Sequence, residues 1–113
     1  MTPAQFRKLA LSMPGAEELS HMDHPDFRAG GKIFAGLTKG EKVATLKLTP
    51  EIQATILDDA SGAFFAAAGA WGERGWTQVH LAKAPAPIMK SLVSEAWSLV
   101  TAPKARRSPR RPS

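Results

Sequence analysis

Two tight-turn signals, Gly30-Gly31 and Lys39-Gly40-Glu41, stand a few residues apart between short runs of mixed apolar and polar residues. Turns of this kind return a chain alongside itself, so the region from residue 16 to residue 49 is committed to antiparallel hairpins. Four short strands are expected there: Glu17 to Met22, Asp26 to Ala29 after Pro25, Lys32 to Thr38, and Lys42 to Leu48. Hairpins cannot stand alone, and the flanking segments supply helices to cover them.

Thr2, Pro3 and Gln5 make a helix start, with Thr2 as N-cap and Gln5 able to close a capping box. Phe6, Leu9, Ala10 and Met13 then recur at helical spacing until Pro14 and Gly15. Thr49-Pro50 repeats the device, Ile52, Ile56 and Leu57 giving the second helix an apolar face before Ser61 and Gly62. Phe64 to Ala70 is apolar and short, either an irregular buried connection or one helical turn. Gly75 to Leu81 alternates as a fifth strand, with Thr77, Val79 and Leu81 on one side and Trp76, Gln78 and His80 on the other. Pro85 and Pro87 open a last helix whose Ile88, Met89, Leu92, Val93, Ala96, Trp97 and Val100 form a broad apolar face. The order α-β-β-β-β-α-β-α predicts an α+β two-layer sandwich, a mainly antiparallel five-stranded sheet with helices packed on one face.

The length of 113 residues suits one compact domain, residues 1–102, followed by a tail, residues 103–113. The tail, PKARRSPRRPS, reads as disordered. It holds five of the 15 basic residues and none of the 10 acidic ones, so the formal charge of +5 belongs to the tail and the body is neutral. The absence of cysteine excludes disulfides, thiolate nucleophiles and thiolate zinc sites. With no signal-peptide pattern and no long apolar run, a cytoplasmic protein that does not engage the membrane is expected.

Three stretches carry residues with chemical potential. His21-Met22-Asp23-His24-Pro25-Asp26 gathers imidazoles and carboxylates, which on this spacing read as a polar hairpin connection and not as a metal site. The outer sheet face is expected to combine Lys32, Phe34 and Thr38 with lysines of the next strand and with Trp76, Gln78 and His80; it is either an aromatic, cationic ligand surface or a face covered by a helix. In Trp71-Gly72-Glu73-Arg74-Gly75-Trp76, Arg74 between glycines is presented for an anion, while Trp71, after an apolar run, is expected to close the core. No nucleotide-binding loop, nucleophile elbow or zinc-protease histidine pair is present in the sequence, so no reaction suggests itself.

His24-Pro25-Asp26-Phe27-Arg28, Gly31-Lys32-Ile33-Phe34-Ala35, Leu46-Lys47-Leu48-Thr49-Pro50-Glu51 and Trp71-Gly72 followed by Gly75-Trp76 together resemble the MmcQ/YjbR family, over nearly the whole chain to about Val100. The resemblance implies a small bacterial protein with a frataxin-like (CyaY-like) fold that binds DNA through a double wing of protruding sheet elements. Here the wings would be the hairpin around Lys39, Gly40, Glu41 and Lys42 and the connection around Arg74. The expected DNA contacts are Lys32, Lys39, Lys42, Lys47, Arg74 and Trp76, with Arg106 and Arg107 adding nonspecific attraction from the tail. No catalytic residue, metal or cofactor is expected, and the protein is taken as a monomer. Iron binding is not carried over from frataxin, because the first helix bears Arg7 and Lys8 where acids would be needed. The rival expectation is a small-ligand or protein-interaction module with Trp71, Trp76, Phe34 and Arg74 around a pocket.

Overall fold

A computed structural model describes residues 1–21, 24–38 and 40–102. Met22, Asp23 and Lys39 lie outside the described residues, as does the tail with Arg106 and Arg107.

The chain opens with α1 (Pro3–Leu11), started by the expected capping box: the Thr2 hydroxyl accepts from the Gln5 amide at 3.1 Å and the Gln5 side chain accepts from the Thr2 amide at 2.8 Å. Strands β1 (Glu17–His21), β2 (His24–Ala29), β3 (Lys32–Leu37) and β4 (Val43–Lys47) follow as successive hairpins. The first of these pairs His21 with His24. Thr49 caps α2 (Pro50–Ile56) by accepting from the Ile52 amide at 3.1 Å. Then come β5 (Phe64–Ala66), α3 (Gly69–Glu73), β6 (Trp76–His80), a 3-10 turn over Leu81–Lys83, and α4 (Ala86–Thr101).

The sheet has six strands in the order β1-β2-β3-β4-β6-β5, every neighbouring pair antiparallel. Five strands were expected. The sixth comes from the Phe64–Ala70 run, whose last two residues begin α3 and whose first three pair with β6 as Phe64 with Val79, Phe65 with Gln78 and Ala66 with Thr77. A strand this short shows too little alternation to be read, and it forms because β6 offers it an edge.

Helix α4 lies across β2, β3 and β4 and seats Met89, Leu92, Val93, Ala96 and Val100 in the core. The same core takes Phe6 from α1, edge-on to Phe27 of β2 with ring centroids 5.9 Å apart. The third tryptophan, Trp97, donates from Nε1 to the Pro14 carbonyl at 2.8 Å and ties α4 to the end of α1. Among the described residues no helix is long and apolar enough to cross a membrane.

One departure reassigns a residue to the core. Phe34, expected to face outward, is fully buried, whereas Ile33 is 37% exposed. The cause is a β-bulge: Phe27 pairs with Ala35 and its neighbour Arg28 pairs with Ile33, so Phe34 is the extra residue on β3. The bulge turns Phe34 under the helices and leaves Ile33 on the open side. Lys32, opposite the buried Ala29, follows Phe34 to the covered side and is exposed at the hairpin's end, so it does not join Trp76 on the open face.

An open, grooved sheet face as the candidate functional site

Residues that turn away from the helices form a second surface. The register lines up one outward residue from each strand, Leu19, Asp26, Gly36, Thr45, Gln78 and Phe65, in a row across the whole sheet. Gly36 contributes no side chain, so the floor dips between β2 and β4. Around that dip runs a groove of about 470 Å³, floored by Ile33, Gly36, Thr45 and Gln78 and walled by Trp76 and Trp71. Ala67 and Ala68 close its far side. The volume lies in the range of small-molecule sites, about 300–1,000 Å³.

The two tryptophans meet edge to face, ring centroids 5.9 Å apart at 76°. Trp76 lies on the open face as its strand alternation requires, and the Lys47 ammonium, directly opposite on β4, sits 5.8 Å from its ring centroid, within reach of a cation–π contact. Trp71 does not close the core. It is 61% exposed, lifted by α3 over the end of β6.

Two glycines and one amide hold this arrangement. A Cβ at Gly72 would collide with the Ala67 carbonyl oxygen, so only glycine lets α3 fold down onto the end of β5. Gly75, at φ +105, brings its backbone against Leu48, where a Cβ would strike the Leu48 carbonyl oxygen. From α2 the buried Gln53 side chain donates to the carbonyls of Gly72 and Trp76, both at 3.0 Å, and to the Thr77 hydroxyl at 3.2 Å. The Thr77 hydroxyl in turn donates to the Gly75 carbonyl at 3.0 Å. The Trp-Gly-x-x-Gly-Trp segment is therefore a short helix and turn pinned from beneath.

Sequence reasoning did not single out Gln53. The one available signal is its place on the apolar stripe of α2, three residues before Ile56, where an amide is out of character unless it has buried partners. It also gave Arg74 and Phe34 to the rival pocket. Arg74 caps the C-terminus of α3, is exposed and is not among the groove's lining residues, while Phe34 is in the core.

The charges sort into paired and unpaired. Arg7 binds Glu18 through Nε at 3.0 Å and Glu41 through Nη2 at 3.0 Å, which straps the β3–β4 hairpin to α1 and β1. These contacts, the Glu41 hydrogen bond foremost, hold the Arg7 guanidinium above its ordinary pKa. On the open face Arg28 forks onto Asp26 at 2.9 and 3.2 Å, and the hydrogen bond to Asp26 likewise raises its pKa. Lys32, Lys42, Lys47 and Arg74 have no ion pair among the described residues, and neither does Glu73. Of these cations the fold brings Lys47 to Trp76, sets Arg74 two residues before it, and places Lys42 at the opposite end of β4.

An antiparallel sheet with helices on one side and an open aromatic groove on the other defines an open-faced α+β protein. The chain belongs to the YjbR family, whose model matches residues 11–99. Among solved structures it is similar to a Deinococcus radiodurans protein with a DUF419 domain, at 20% identity and a TM-score of 0.77, over 94% of this chain and 85% of that one. It is also similar to a Pseudomonas syringae protein solved by structural genomics, at 21% identity and a TM-score of 0.71, over 88% of this chain and 99% of that one. At these identities the likeness is one of fold. No match is found among curated proteins.

Proposed function

We propose that this protein is a non-enzymatic DNA-binding module that holds DNA on the open sheet face, and that it acts in the cytoplasm. The observation that carries the reading is the Trp76 ring beside Trp71 with the Lys47 ammonium 5.8 Å from its centroid: a stacking platform with a cation alongside. Aromatic side chains hold bases by stacking at about 1–3 kcal/mol per base, and adjacent cations hold the phosphates. Arg74, exposed and unpaired among the described residues, adds a second cation near the platform. The layering of helices on an antiparallel sheet also supports a frataxin-like assignment, while Arg7 and Lys8 on α1 argue against an iron role.

The test is fluorescence anisotropy with labelled single-stranded and duplex DNA at low and raised salt. Binding is expected at low salt, weakening steeply as salt rises, and Trp71→Ala is expected to reduce affinity by about tenfold, in line with the loss of one stacked base. Deleting residues 104–113 separates the face from the tail: affinity lost with the tail and untouched by Trp71→Ala overturns the reading.

A second reading has its own observation. The groove is walled mostly by apolar atoms, and Arg74 lies outside its lining. This favours a flat apolar ligand or peptide side chain. Ligand-dependent thermal stabilisation in a protein inert to DNA would select it.

A further inference from the structure

We infer that the bound DNA is a single strand running along β6, with a second contact at the far end of that strand, where Lys42, His80 and Lys83 form a phosphate-binding cleft. The inference rests on the DNA reading above and adds to it a substrate form, a direction and a second site.

Alternation along β6 puts Trp76, Gln78 and His80 on the open face, and the register sets them opposite Lys47, Thr45 and Val43 of β4. The two strands form a track. At one end are the tryptophan pair and Lys47. In the middle, Thr45 and Gln78 offer hydrogen-bonding groups. At the other end the His80 ring lies against Phe65 of β5, centroids 4.7 Å apart and 32° from parallel, a second aromatic station.

Beyond His80, at the end of the sheet, opens a separate cleft of about 790 Å³ between the Leu81–Lys83 turn and the start of α1 at Met1, Thr2 and Pro3. Lys42 and Lys83 are on its wall, drawn to the same place because the Leu81 amide donates to the Lys42 carbonyl at 3.1 Å. Neither lysine has an ion pair among the described residues. The acid on that wall is Glu41, whose carboxylate shares the single Arg7 guanidinium with Glu18. Two lysines against one partly compensated carboxylate leave the charge facing the cleft positive, and an anion fits it.

A single strand follows from the geometry of the near end. The platform meets a base only on its flat face, and in a duplex those faces are covered by neighbouring bases. From Trp76 to His80 the track spans five residues in four steps, about 13 Å at ~3.3 Å per step. That is about four nucleotides at the stacked spacing of ~3.4 Å, and fewer when the strand is extended.

The test is tryptophan fluorescence titrated with oligothymidylates of two, four and eight nucleotides, for the full chain and for the double variant Lys42→Ala/Lys83→Ala, with inorganic phosphate as a separate titrant. The longer oligonucleotides are expected to bind more tightly than the dinucleotide. The double variant is expected to lose about tenfold in affinity for the eight-nucleotide strand and to lower its salt slope by about 1.4, two single-strand phosphate contacts at ~0.7 each. Its binding of the dinucleotide is expected to be unchanged. Length-independent binding, or an unaltered salt slope in the double variant, overturns the inference and leaves the DNA reading standing. Inorganic phosphate protecting the cleft while the eight-nucleotide strand ignores the two lysines overturns it in favour of a free-anion site. No quenching by any oligonucleotide is the distinct result that removes the DNA reading itself.

Discussion

Gln53 shows how one buried amide can govern a surface two elements away. Its Nε2 reaches the Gly72 and Trp76 carbonyls and the Thr77 hydroxyl, so α2, α3 and β6 share one polar knot directly beneath the tryptophan pair. Replacement by leucine keeps the approximate volume and removes the three side-chain hydrogen bonds, while the Gly72 carbonyl still accepts from the Gly75 amide and the Trp76 carbonyl from the Ala67 amide, both at 3.0 Å. Gln53→Leu is expected to cost about 1–2 kcal/mol in urea unfolding, the net loss of side-chain hydrogen bonds to carbonyls that keep their backbone donors. It is also expected to weaken the circular-dichroism signal of the coupled Trp71 and Trp76 indoles, which a loss of stability alone would leave intact well below the unfolding midpoint. Gly75 belongs to the same unit: at φ +105 against the Leu48 carbonyl it admits no side chain, which accounts for the glycine directly before Trp76.

At the scale of elements, the β-bulge in β3 decides which of two adjacent apolar residues serves the core. A regular strand would have placed Ile33, Ala35 and Leu37 inside and Phe34 outside. With the extra residue at Phe34, the phenylalanine is buried and Ile33 floors the groove. Phe34→Ala is therefore expected to lower unfolding free energy by about 3–5 kcal/mol, against about 1 kcal/mol or less for Ile33→Ala. Denaturant titration of the two variants checks it, and equal losses would contradict the bulge. The short β5 teaches a related lesson. Its three residues gain their strand character from pairing with Val79, Gln78 and Thr77, partners that their own sequence does not name.

Over the whole molecule, charge is arranged locally. The described ion pairs, Arg7 with Glu18 and Glu41 and Arg28 with Asp26, are partly exposed and each contributes little to stability. Stability and binding are consequently expected to respond differently to salt. Raising ionic strength from about 50 to 200 mM should move the melting temperature only slightly, because screened surface pairs matter little. DNA affinity over the same range should fall by more than about tenfold if three or more phosphates are contacted. Calorimetry and anisotropy on one preparation test both, and parallel insensitivity would separate this face from nucleic acid. The capped helix starts at Thr2 and Thr49, the hairpins around Gly30-Gly31, the alternation of β6 and the apolar face of α4 were legible in the sequence, because each depends on residues within a turn or two of one another. The bulge at Phe34, the sixth strand, the exposure of Trp71 and the anchoring of its loop by Gln53 were not legible, because each is chosen by a partner distant along the chain: β2 for the bulge, β6 for β5, and α2 for the loop. Local chemistry thus determined most of the elements, and long-range packing and hydrogen bonding decided the sixth strand and which side chains the open face presents.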